Sequence, residues 1–559
     1  MDGADETSPE PVVARAQEAL GAGEWLTAKQ AYEQRLEQGE DAEALFGLGV
    51  AEWWLGQTRA SLRHHERAYA LFHREPDPEQ ALLAAFWLCL TYRMSMGNLS
   101  ASQGWLGRAA SLADEFDLGP LGALVLIARA DIATDAGRPD EAERFSREAL
   151  RIAREAGEID LELCALSELG AALVELGRVE EGTHLLDEAM AGALSGDVVG
   201  LDSIVLIACL TITSCSRGGD LTRATQWVRA ADEFHQRFGS LHLYTTCRTA
   251  YGSVLFATGE WELAEAELQA ALKIGTSAEP ALQAEALAQL AELRLAQGRP
   301  EEASRLLDGH EDHPAAIFAI ASLHLARGDA AIASSLLRRR LRDIDQRSLT
   351  GARLLELLGE AEVALGDRSS AATRGRDLVD LGAAVGSELI AARGEWILGR
   401  ASDSAEAAVT HYGRALSTFR AHSMPLAAGR ARLQLARGLV AGERGAAVAE
   451  AQRALASFEA IGAARDADEA AGFLREHGIT PSRSGPRGIG VLTKREHDVL
   501  ELLGEGLSNP GIAERLFISR KTVEHHVASV LSKLQLRGRG EAAAYAVRNL
   551  GAERDSAQK

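Results

Sequence analysis

The sequence predicts an all-α protein: a long α-solenoid followed by a small domain of four short helices. Three observations carry this. The 559 residues hold only 13 Pro and 5% aromatics beside abundant Ala, Leu, Glu and Arg, a composition that favours helix. A glycine-centred period runs through most of the chain. That period stops at a stretch rich in Gly, Pro and Ser, and the segment beyond it differs in charge. At this length one core cannot serve the whole chain, so several domains or a repeat array are required.

Residues 1–12, within "MDGADETSPEPVV", are acidic and polar and are expected to be disordered. They contain no apolar run of the kind that marks a secretory leader. The most apolar stretch, Leu121–Ala133, meets charge well before the roughly 18 residues a bilayer span needs. No membrane partner is expected. Cys89, Cys164, Cys209, Cys215 and Cys247 lie in apolar helical stretches without Cys-x-x-Cys spacing, which reads as buried thiols and a cytoplasmic location.

From residue 13 to residue 477 one unit repeats. A Gly closes an apolar helix, a small residue follows five positions later, and often another seven after that. Gly56 with Ser61 and Ala68, Gly137 with Ala142 and Ala149, and Gly177 with Gly182 and Ala189 are examples. The turn series runs Gly23, Gly56, Gly97, Gly137, Gly177, Gly219, Gly259, Gly298, Gly328, Gly366 and Gly442, with middle steps of about 40 residues, the range of helical solenoids. Each unit reads as two antiparallel amphipathic helices. In "LCALSELGAALVELGRVEEGTHLLDEAM", Gly177 supplies the positive φ of the turn, while Gly170, Gly182 and Ala189 mark the helix crossing. One pair cannot cover its own apolar face, so neighbours must stack.

These residues resemble the tetratricopeptide repeat over roughly residues 15–465, with two departures. Most units exceed the usual length, and the family's aromatic positions are mostly Leu or Ala. The long units look like the arrays of large bacterial regulators. Such regulators often carry an ATPase module, whose phosphate loop needs a Lys after Gly. None of the six lysines follows a Gly. No Gly-x-Ser-x-Gly elbow is present either. No enzyme and no cofactor is expected.

Three local features read as structural. "HEDHP" (His310–Pro314) lacks zinc spacing and lies in a loop. His64 and His65 are adjacent on a helix, cannot share a face, and read as solvated. "RRRLR" (Arg338–Arg342) reads as the exposed C-terminal end of a helix.

Residues 478–490, "GITPSRSGPRGIG", form a linker by composition. From there the charge changes. Residues 487–559 carry 12 basic and 9 acidic side chains, a net of +3, which leaves −25 on the preceding residues out of a total of −22. The acidic part is repelled by polyphosphate and only the tail escapes. Residues 491–552 read as a compact domain and 553–559 as a disordered tail. Thr493 and Glu496 form a capping box, and Val499, Leu500 and Leu503 give the first helix an apolar face. Ser508 or Asn509 caps a second helix that buries Ile512, Ala513 and Leu516. Ser519 caps a third, with Val523, Val527, Val530, Leu531 and Leu534 as its buried stripe. Two short helices with a tight turn, the second polar on its outer face, make a helix-turn-helix.

The run Leu492-Thr493, Arg495-Glu496, Val499-Leu500, Gly506, Ser508-Asn509, Ile512-Ala513, Leu516, Ile518-Ser519, Thr522-Val523, His526, Lys533-Leu534 and Arg539 resembles the LuxR-type (GerE-like) helix-turn-helix domain. The resemblance implies that helix Ser519–Leu534 enters the major groove of double-stranded DNA. It places Glu524, His525 and Ala528 toward bases, and Lys521, Thr522 and Lys533 near phosphates, with Ser529 on the same flank as Thr522 and Lys533. A last helix, from Glu541 to about Leu550, completes the domain, and "AAAYAV" is available to a second copy. Two departures matter. Ala528 stands where many members carry a polar or basic residue, which suits a thymine methyl. Glu524 suits a cytosine amino group but repels phosphate.

The expected function is therefore sequence-specific transcriptional regulation by a homodimer on DNA. The solenoid is expected to answer to an unidentified ligand or protein partner, and RNA polymerase is a further candidate partner. The alternative is a helical-repeat adaptor acting through protein contacts.

Overall fold

The computed structural model describes residues 9–546 apart from 197, 199, 240, 275–279, 312, 480–493, 517–519, 535 and 537. Every regular element among them is a helix. The chain divides into two compact units, Met1–Ala447 and Val448–Lys559. The boundary falls inside helix Arg444–Ile461, so helix Ala464–Glu476, read from the sequence as the end of the repeats, belongs by packing to the second unit. Most of the linker, Thr493 of the capping box and the 553–559 tail lie outside the described residues.

The first unit is an array of antiparallel helical pairs, and the glycine period locates its turns. Ten of the eleven turn glycines, from Gly23 to Gly366, have positive φ. Gly442 does not, although it lies between helices Pro425–Leu439 and Arg444–Ile461. The small residues of the period are buried where helices meet. Ala28, Ser61, Ala68, Ala109, Ala149 and Ala189 have no exposure at all. At the crossing of helices Ile159–Glu175 and Val179–Ser195, a Cβ on Gly182 would lie 2.5 Å from the carbonyl oxygen of Gly170. The two backbones approach until only hydrogen separates them. Between helices Glu388–Ala401 and Ala405–Ala421 the turn has no glycine. There Ser404 accepts a hydrogen bond from the Ala407 amide at 3.3 Å, and a serine cap replaces the glycine turn.

The array also contacts itself over long sequence distances. The Trp25 indole N–H donates to the Phe238 carbonyl at 2.6 Å, 213 residues away. The Asp345 amide donates to the Gly137 carbonyl at 2.7 Å. The Thr350 hydroxyl donates to Glu175 at 3.1 Å across 175 residues. A Cβ on Gly177 would meet Val385 at 2.6 Å, so this glycine serves both its own turn and a distant helix. Helix Leu201–Gly218 is long and apolar enough to cross a membrane, yet it packs among the helices before and after it and buries Ile204, Val205, Ile207, Ala208 and Ile212.

Two expectations fail. Residues 9–12, expected to be disordered, open helix Pro9–Gly21, and Val12 is buried in the core against Ala16, Ala28 and Ala31. His65 is not solvated but fully buried, stacked on Trp87 with ring centroids 5.6 Å apart. It fits because Gly49 leaves room: a Cβ there would lie 2.8 Å from the ring. Burial lowers its pKa to about 3, helped by the neighbouring His64. His64 is half-buried and bonds Glu52 at 2.7 Å. The "HEDHP" residues build a turn: Glu311 accepts from the Gly309 amide and His313 Nδ1 from the Ala315 amide. Arg338 is exposed and pairs with Glu362 at 3.0 Å. All five cysteines are buried free thiols.

Candidate nucleic-acid interface

Three helices, Lys494–Gly504, Asn509–Leu516 and Arg520–Lys533, and the helical residues 539–546 surround one small core. Val499, Leu500 and Leu503 of the first helix are at most 1% exposed, and Ile512 of the second is fully buried. Gly506 turns the chain with φ of +82°. Ser508 is the cap of the second helix, accepting from the Gly511 amide at 3.4 Å. The third helix buries its expected stripe: Val523, Val530 and Leu534 are in the core, with Val527 and Leu531 packed against it. Ala542 and Ala546 are also core residues. Of "AAAYAV" this leaves Ala544 exposed and Ala543 and Tyr545 half-buried, so part of the face assigned to a second copy is already covered.

With the stripe inside, the opposite side of the third helix is turned outward. Glu524 and Ala528, four residues apart, are both exposed. Ser529 is half-buried, and its hydroxyl donates to Glu496 Oε1 at 2.6 Å, linking the third helix to the first. Lys521, Thr522, His525 and Lys533 lie on the helix, but their side chains are outside the described residues, as is Ser519. Thus Glu524 and Ala528 share an exposed face, while Ser529 is engaged within the domain.

Sequence reasoning missed three side chains. Arg520, 72% exposed at the start of the third helix, pairs with Glu524 at 3.0 Å. It offsets a charge that would otherwise repel phosphate. Arg539 donates to Asn509 Oδ1 at 2.6 Å and also to the Leu507 carbonyl, strapping the last helical segment to the turn before the second helix. Glu496, read as part of a cap, is 5% exposed and receives Ser529. Arg520 and Glu524 had a legible signal in their i,i+4 spacing. The other two contacts join residues about 30 apart and had none.

Residues 490–546 match the family described as "Bacterial regulatory proteins, luxR family". Residues 123–384 match the family described as "MalT-like TPR region". The chain is similar to the transcriptional regulatory protein LnrK of Bacillus subtilis, 53% identical over 57 residues that are 10% of this chain and 26% of that protein. It is also similar to the putative HTH-type transcriptional regulator Rv0890c of Mycobacterium tuberculosis, 45% identical over 80 residues, 14% of this chain and 9% of that one. The chain thus spans about a quarter or less of the length of these relatives. Among solved structures, a Rap protein complexed with competence and sporulation factor aligns over 68% of this chain and 99% of that chain, with TM-score 0.43 and 14% identity. The C-terminal segment is a LuxR-family helix-turn-helix domain, and the repeats ahead of it include a MalT-like tetratricopeptide region.

Proposed function

We propose that this protein is a transcriptional regulator that reads double-stranded DNA with helix Arg520–Lys533, under the control of its helical repeats. One observation carries the reading. The third helix of a LuxR-family domain buries Val523, Val530 and Leu534, packs Val527 and Leu531 against the same core, and holds Glu524 and Ala528 outward together. In the groove, Glu524 accepts from a cytosine amino group, and Ala528 meets a thymine methyl. His525 faces a base, while Lys521, Thr522 and Lys533 approach phosphates. Ser529 acts through Glu496, fixing the angle of the helix rather than touching DNA.

A net of +3 on residues 487–559 is modest for a polyanion ligand. The competent form is therefore a homodimer reading two half-sites, with RNA polymerase as the later partner. The repeats, residues 13–477, sense a ligand or partner and are joined through 478–490 to the DNA-reading domain at 491–552. The protein works in the cytoplasm.

In-vitro DNA selection on the full chain, in parallel with a Lys521→Ala/His525→Ala variant, tests this. Enrichment of one inverted repeat by the parent and not by the variant is the expected outcome. Equal enrichment by both would defeat the reading and leave a protein-contact adaptor.

A further inference from the structure

Several long-range contacts of the array follow one rule. A glycine turn that joins the two helices of a pair forms a socket, and an apolar side chain from a later junction between pairs fills it. A Cβ on Gly23 would lie 2.6 Å from Phe238, one on Gly137 2.5 Å from Ile344, one on Gly177 2.6 Å from Val385, and one on Gly219 3.6 Å from Leu389. Phe238 and Val385 hold the same position, as the last residue of the second helix of a pair, just before a left-handed glycine cap. Because paired helices run antiparallel, the glycine turns lie along one edge of the array and the junctions between pairs along the other. Sockets on one edge thus receive plugs from the other.

Both edges continue beyond these contacts. Gly328 and Gly366 extend the socket series with φ of +89° and +80°, yet among the described residues nothing stands within 4 Å of a Cβ on either. Both are exposed, where Gly137 and Gly177 are buried. Leu365, beside Gly366, is 49% exposed, whereas Leu176, beside Gly177, is half-buried. On the other edge, Phe116 ends the second helix of its pair before a left-handed Asp117, the position of Phe238 and Val385, and is 46% exposed. Ile159 opens a helix at the next junction and is 42% exposed. Exposed apolar side chains placed on matching edges mark an interaction surface.

We infer that a second copy of this chain completes both edges. Phe116 of one copy enters the turn at Gly366 of the next, as Val385 enters the turn at Gly177 within one chain. The contact is head-to-tail, so a pair still has one open socket and one free plug, and assembly continues beyond two. It is separate from any pairing of the DNA-reading domains and does not depend on the regulator reading.

Mixed disulfide cross-linking of the full chain tests this. Phe116→Cys and Leu365→Cys are made separately, the five native thiols being buried, and mixed with diamide as oxidant. Ser111→Cys, an exposed site on the same helix as Phe116, mixed with Leu365→Cys controls for random collision. The expected result is a cross-linked pair well above that control, none from either variant alone, and a ladder of larger products when one chain carries both substitutions. Sedimentation velocity on the parent should show association that grows with concentration, weakened at least tenfold in Phe116→Asp, whose far-UV helicity is measured alongside. No excess over the Ser111 control, or association unchanged in Phe116→Asp, overturns the inference. Phe116→Cys cross-linking to itself as well as to Leu365→Cys would mean a symmetric contact, and overturns it too.

Discussion

The repeat array and the DNA-reading domain achieve a defined fold in opposite ways. In the array, information is spread thinly: a small residue at each crossing, repeated many times, with His65 and the long-range contacts added between repeats. In the terminal domain it is concentrated. Val499, Leu500, Ile512, Val523 and Val530 are all fully buried in one core of about fifty residues, and single side chains such as Ser529 and Arg539 tie its helices together. A spread design absorbs a fault locally, whereas a small core has little stability to lose.

Leu500→Ala should show this most strongly. Emptying that fully buried site costs about 2–5 kcal/mol, enough to unfold a domain of this size and abolish DNA binding. The far-UV signal of the array should persist; its collapse would refute the contrast. Gly182→Val probes the other side. Its Cβ would press on the Gly170 carbonyl at 2.5 Å, at a cost of about 1–3 kcal/mol. Thermal melting should shift, and a broadened transition in place of global loss would mark a local fault.

Acid offers a third probe. Because burial lowers the His65 pKa from 6.5 to about 3, its stabilising contribution is complete above pH 6.5 and is lost as pH falls from there toward 3. At pH 5 the loss is roughly 2 kcal/mol. Asp131, raised from 3.8 to about 6, acts oppositely, losing its contribution as pH rises across that interval. His65→Phe should therefore flatten the decline of melting temperature between pH 7 and pH 5; an unchanged slope would mean the ring is not held neutral. Ser529→Ala, which deprives the buried Glu496 of a donor, should cost about 1–2 kcal/mol and weaken DNA binding uniformly across sequences. Loss of preference at one base position would instead make Ser529 a reader. Arg520→Ala should be smallest, at most about 0.5 kcal/mol of stability, with a steeper loss of DNA affinity in the variant if its pairing shields Glu524 from phosphate.

Much of this was legible in the sequence, and the boundary of legibility is physical. Gly23 to Gly366, a cap at Ser508 or Asn509 and the stripe from Val523 to Leu534 follow from spacing along one helix or between adjacent ones; the structure gives the cap to Ser508. The His65 burial was not legible, because it depends on Gly49 and Trp87 on two other helices. Nor was the pair of helices around Ser404, where a hydroxyl cap stands in for the glycine that marks the other turns. At the candidate interface, spacing showed which side of the helix faces out. It did not show that Ser529 is taken by Glu496, a contact across 33 residues.

The bond from Trp25 to the Phe238 carbonyl has a consequence for biosynthesis. A ribosome elongating at about 5–20 residues per second needs roughly 10–40 s to add the intervening 213 residues. During that interval the nascent N-terminal repeats lack the partner on which Trp25 closes, and the aromatic surface formed by Trp25 and Trp54 stands within reach of chaperones. The first repeats to emerge are thus completed only once the chain has been made as far as residue 238.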